Sequence, residues 1–66
     1  MTWIKVKDGY VRQDAIIDVH IAQYHPKSIY FLLISGDSVK LNDYESEEIA
    51  KETLEKVVDF LDREEL

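Results

Sequence analysis

An α+β fold is what this sequence predicts: an antiparallel β-meander of four to five strands, followed by one C-terminal amphipathic helix packed on one face. Three observations carry that expectation. Apolar residues alternate in period two through most of residues 3–41. Asp-Gly, His-Pro and Ser-Gly pairs punctuate the alternating runs. From Ile49 to Leu61 the period changes, and apolar residues recur at spacings of three and four.

The first strand, about residues 3–7, places Ile4 and Val6 on one side and Trp3, Lys5 and Lys7 on the other. Asp8-Gly9 follows and predicts a type I′ hairpin turn, whose two central residues need positive φ. Residues 10–12 return, and Gln13-Asp14-Ala15 is a short connection. The clearest strand runs over residues 16–24. Ile17, Val19 and Ile21 share one face; Asp18, His20, Ala22 and Tyr24 share the other. His25-Pro26-Lys27-Ser28 is expected to break this run, because Pro donates nothing to a ladder. Residues 29–35 contain six successive apolar residues, Ile29 to Ile34. A run of that length reads as a strand covered on both faces. A turn at Gly36 and a strand over 38–41, with Val39 and Leu41 inward, complete the meander.

The helix is expected over about residues 47–63. Ser46 is its N-cap, with a hydroxyl able to accept from a first-turn amide. Glu47 and Glu48 lie where the helix dipole favours negative charge. Ile49, Ala50, Thr53, Leu54, Val57, Val58 and Leu61 form the apolar stripe, with Phe60 on its border. Glu52–Lys56 and Asp59–Arg63 are spaced as helical ion pairs with the acid first. Such a helix is roughly 25 Å long, enough to cross the whole sheet.

Size narrows what can hold the fold together. The 66 residues form one domain, 45% hydrophobic and 33% charged. Ordering them costs roughly 100 kcal/mol, which core burial barely exceeds at this size. There is no Cys for a disulfide, and two His are poor material for a structural zinc, so no cofactor is expected. Oligomerisation remains as support, alongside a good core. No apolar run is long enough to span a membrane, and the first residues lack a signal-peptide layout. The cytoplasm is the default location.

The net charge of −6 is uneven. Residues 1–41 carry five basic and four acidic side chains; residues 42–66 carry ten acidic and three basic. This balance disfavours non-specific binding to nucleic acid, which requires neutralised phosphates. Trp3, Tyr24 and Tyr30 near Lys5, Lys7 and Lys27 are the elements of a base-stacking sheet, but the sheet segment is almost neutral.

One helix covers one face. Ile4, Val6, Ile17, Val19, Ile21, Phe31, Leu33, Val39 and Leu41 are the expected inner set. The opposite face then carries Trp3, His20, Ala22, Tyr24, Tyr30, Leu32 and Ile34, which is too apolar for a solvated surface. The expected use is self-association as a homodimer; another protein, a small ligand or a single-stranded nucleic acid are the alternatives. A second reading is an acidic inhibitor or DNA-mimicking decoy that presents Glu48, Glu52, Glu55, Asp59 and Asp62 to a basic protein.

Candidates for chemistry are sparse. Asp18 and His20 share a strand face, and with His25 they are the only cluster able to orient an imidazole or begin a metal site. Ser35, Asp37 and Ser38 surround Gly36 for backbone reasons. The acidic pairs Glu47–Glu48 and Glu64–Glu65 are solvated helix residues and form no acid/base dyad. The two glycines make no phosphate loop. The expectation is a protein without enzymatic activity.

Ile4-Lys5-Val6 with Gly9, Asp14-Ala15-Ile16, Ile29-Tyr30-Phe31-Leu32 with Gly36, and Glu48-Ile49 together resemble the small bacterial FlbD-like proteins of flagellar operons. The resemblance spans most of the chain as a pattern of strands and turns. Trp3, the Tyr24-His25-Pro26 corner and the acidic tail stand outside it. It implies a small accessory protein with no catalytic residues, and the pattern fits a phage-derived protein equally well.

Overall fold

A computed structural model describes residues 2–64, with side chains as far as Asp62. The order is β1 (Trp3–Val6), β2 (Gly9–Arg12), a 3-10 turn (Gln13–Ala15), β3 (Ile16–Ala22), β4 (His25–Leu33), β5 (Ser38–Asp43) and α1 (Glu47–Glu64). All strand pairs are antiparallel, so the fold is α+β as expected.

The strands divide into two sheets, β1-β2 and β3-β4-β5. The single 3-10 turn redirects the chain between them. β1 lies beside β5 without entering its ladder. The β1–β2 hairpin and α1 both send apolar side chains to the Phe31 face of the larger sheet. There Val6, Val11 and Phe31 form the buried centre. Ile4, Ile16, Val19, Leu33, Val39, Leu41, Val57 and Leu61 pack around it. Phe31 and Ile29 are fully enclosed, and Ala50 lets the helix approach closely. Burying a side chain of this size stabilises by about 1.5–3 kcal/mol, so β4 anchors the molecule.

The turns depart from the sequence expectation. Val6 pairs with Gly9, so the hairpin loop is Lys7-Asp8 and not Asp8-Gly9. Neither loop residue has positive φ, which rules out a type I′ turn. The loop closes one residue early, and this frees the Lys7 side chain from the strand. The corner expected at His25-Pro26-Lys27-Ser28 is instead the start of β4; the chain reverses at Gln23-Tyr24. Register jumps here from Ile21↔Ile29 to Ala22↔His25. Pro26, Lys27 and Ser28 therefore bulge away from β3, where a missing proline donor costs nothing. Gly36 is the one turn glycine in the left-handed region, at φ 93°.

A bulge also corrects the inner face. Ile16 pairs with Leu33 and Asp18 with Leu32, which leaves Ile17 as an extra residue. The alternation slips by one. Ile16 joins the core, and Ile17, expected inside, is 62% exposed. Ile29 and Val11 were outside the expected inner set and are buried.

The helix begins as expected. The Ile49 amide donates to Ser46 Oγ at 3.2 Å, and the Ala50 amide donates to the Ser46 carbonyl at 3.1 Å. Thr53, Leu54, Val57 and Leu61 are half-buried, whereas Ile49, Val58 and Phe60 remain exposed. Glu52 and Lys56 make no ion pair among the described residues. The Arg63 side chain of the other expected pair, and Glu65 of the acidic pair, lie outside them. No helix among the described residues is long and apolar enough to cross a membrane.

Candidate interaction surface

Because helix and hairpin share the Phe31 face, the opposite face of β3-β4-β5 has no cover among the described residues. Strand register builds that outer face in rows. Asp18, Leu32 and Ser38 form one row; His20, Tyr30 and Lys40 form the next. The His20 and Tyr30 rings stack, with centroids 6.2 Å apart and planes 22° apart. Lys40 Nζ lies 5.9 Å from the Tyr30 ring centre on the other side, within cation–π range. His20 Nδ1 also meets Asp18 Oδ2 at 3.0 Å along the strand.

Beyond this row sits a polar cluster that no local pattern announces. Asp43 lies opposite Ser28, whose buried hydroxyl donates to Asp43 Oδ1. Lys7 Nζ reaches Asp43 Oδ2 at 2.6 Å, and Lys40 Nζ reaches Oδ1 at 3.2 Å. The Lys7 hydrogen bond, then those from Ser28 and Lys40, hold the Asp43 carboxyl far below the usual carboxylate range. In return the Asp43 hydrogen bond raises Lys7 above its ordinary 10.5. A bulge brings Asp43 there: Ile29 pairs with Asn42 but Tyr30 with Lys40, so Leu41 is the extra residue of β5. Below it, a cavity of about 400 Å³ opens between β1 and β5, lined by Lys5, Val6, Lys7, Leu41, Asn42 and Tyr44. Burial there raises the Tyr44 hydroxyl above its ordinary value.

The expected interface residues divide by position. His20 and Tyr30 stack, and Ala22 and Leu32 follow them on the same alternation; all four are half-buried. Tyr24 is 85% exposed at the β3–β4 turn, and Ile34 is 68% exposed just past the far end of β4. Trp3 is exposed on the separate two-stranded sheet, opposite Arg12. The outer face is therefore amphipathic, with an aromatic centre and an ionic end.

A second apolar feature flanks it. β3 is an edge strand, and nothing pairs with its outer side among the described residues. Between that edge and α1 runs a groove of about 290 Å³, lined by Ile16, Ile17, Asp18, Val19, Val58, Leu61 and Asp62.

Glu48, Glu52, Glu55, Asp59 and Asp62 are all exposed along α1. Of the chemical candidates, Ser35 Oγ donates to Asp37 Oδ2 at 3.0 Å within the Gly36 turn. His25 begins β4 and pairs with Ala22, two residues beyond His20 along β3. No three acidic or His side chains come together as a metal-binding group among the described residues.

Neither a family model, a curated protein nor a solved structure matches the chain.

Proposed function

We propose that this chain is a non-enzymatic interaction protein that self-associates through its three-stranded sheet. The observation that carries the reading is one-sided packing. Helix and hairpin cover the same face of β3-β4-β5, and among the described residues nothing covers the other face or pairs with the β3 edge. Size supports it too. A 66-residue chain without Cys has few other ways to add buried surface. The exposed Trp3, Tyr24, Ile17 and Ile34 are residue types that gain from being covered. The test is the mass in solution by light scattering over a range of concentrations. The expected result is a dimer that dissociates on dilution. A monomer at every concentration overturns the reading.

A second reading is favoured by one observation: Glu48, Glu52, Glu55, Asp59 and Asp62 of α1 are exposed and unpaired among the described residues. That face would engage a basic protein, in the manner of an inhibitor or decoy. Glu52→Lys with Glu55→Lys is expected to abolish such binding while leaving the mass of the free protein unchanged.

A further inference from the structure

We propose that two copies of this chain join edge to edge through β3, antiparallel about a two-fold axis at Val19, to make one six-stranded sheet. The inference rests on the self-association proposed above and names its contact.

The larger sheet has two edges, and they differ. β1 lies against the β5 side, and Lys7 and Lys40 are gathered on Asp43 there. Among the described residues nothing pairs with the outer side of β3 along its seven residues, Ile-Ile-Asp-Val-His-Ile-Ala. That stretch contains neither Lys nor Pro, the residues that most often blunt an edge against pairing. Ile17 is pushed outward by its bulge and, with Val58 and Leu61, gives the neighbouring groove an apolar wall. An open edge beside an apolar groove is the geometry of strand addition: main-chain bonds hold the partner, and alternate side chains fill pockets.

The residues of β3 select the occupant and its register. In an antiparallel pair, opposed side chains must lie on the same face, so only three central registers are available. An axis at Asp18 sets Asp18 against Asp18 of the second copy, a repulsive pair. An axis at His20 sets His20 against His20, with Asp18 facing Ala22. An axis at Val19 sets Asp18 of each copy against His20 of the other on one face, and Val19 against Val19 on the opposite face. That register alone is complementary in both polar and apolar pairs. Its polar atoms are available. Within the chain Asp18 Oδ2 meets His20 Nδ1, and Asp18 Oδ1 and His20 Nε2 have no further partner among the described residues. The ladder with β4 is regular from Asp18 to Ile21, so the backbone presented to a second copy is straight about the proposed axis. The bulge at Ile17 ends that stretch and keeps the new ladder short.

The chain has no Cys, so single introduced thiols report contacts cleanly. Light scattering of the wild type is combined with oxidation of Asp18→Cys and His20→Cys proteins, separately and mixed. Asp18 is exposed and His20 half-buried, and circular dichroism checks that each variant is folded. The expected result is a wild-type dimer and a disulfide-linked dimer that forms many-fold faster in the mixture than in either protein alone. Rapid linking of Asp18→Cys alone, or of His20→Cys alone, places the axis elsewhere and overturns the register. A dimer that no combination cross-links overturns the edge contact while leaving self-association standing; loss of that dimer on Tyr30→Asp then assigns it to the outer face. A monomeric wild type overturns both. Charge exchange gives an independent readout. His20→Glu should weaken the dimer roughly tenfold by opposing two acids twice, and Asp18→Lys combined with His20→Glu should restore it. Failure of the double variant to recover, with folding intact, counts against the Val19 axis.

Discussion

Asp43 does at residue scale what no nearby residue could do alone. Its carboxylate ties the β1–β2 loop, through Lys7, to the ends of β4 and β5 through Ser28 and Lys40. The two depressed and raised values fix how this tie responds to pH. A carboxyl lowered on folding contributes stability that is whole above its unfolded value near 3.8 and is lost as the pH falls toward its folded value. A lysine raised on folding contributes stability that is whole below 10.5 and is lost as the pH rises through its folded value. Asp43→Asn removes the charge and keeps an acceptor for Ser28. We expect the variant to melt below the wild type at neutral pH, with the difference shrinking at both acid and alkaline ends. Thermal melts from about pH 2 to about pH 11 measure it, and parallel curves would show that the cluster carries no linked stability. Nothing local in the sequence announces this tie. Lys7 and Asp43 are 36 positions apart, and their meeting depends on an early turn and on the Leu41 bulge. By contrast, the stacked His20 and Tyr30 were legible from alternation alone, because each sits two residues from another outward-facing side chain.

At the scale of elements, the strands and helix follow from period and from punctuation, and the errors are errors of register. Period two locates β3, but one extra residue at Ile17 exchanges which isoleucine is inside. A bulge is set by ladder geometry between two strands, so a single strand's pattern cannot reveal it. Pro26 reads as a break for a related reason, yet β4 continues through it, bulged away from β3. Trp3 joined the expected outer face only on the assumption of one sheet, and the 3-10 turn at Gln13–Ala15 makes two. The helix is more legible because its start depends on one local bond. Ser46 Oγ accepts the Ile49 amide and fixes the first turn from which Ala50 and Leu54 reach the sheet. Ser46→Ala should therefore cost about 1 kcal/mol of unfolding free energy, read as a lower urea midpoint with unchanged slope. An unchanged midpoint would mean that packing of the stripe alone positions the helix.

At the scale of the whole molecule, charge and burial oppose each other. Every copy carries a net −6, concentrated along α1 and the segment that leads to it, so two copies repel at long range. Association through β3 must overcome that repulsion with apolar contact at Val19 and with main-chain bonds, neither of which salt weakens, beside the two short-range Asp18–His20 pairs. Salt shortens the reach of the repulsion, from a Debye length of about 10 Å at 0.1 M to about 3 Å at 1 M. The self-association constant is therefore expected to rise with ionic strength. A complex between the acidic helix and a basic protein has the opposite sign, because there salt screens the attraction. Light scattering of the isolated protein at low and at high sodium chloride separates these cases. A dimer that tightens with salt supports a buried, largely apolar sheet contact. A dimer that salt dissolves must be held by charge, and the sheet-mediated assembly proposed for this chain would then be wrong.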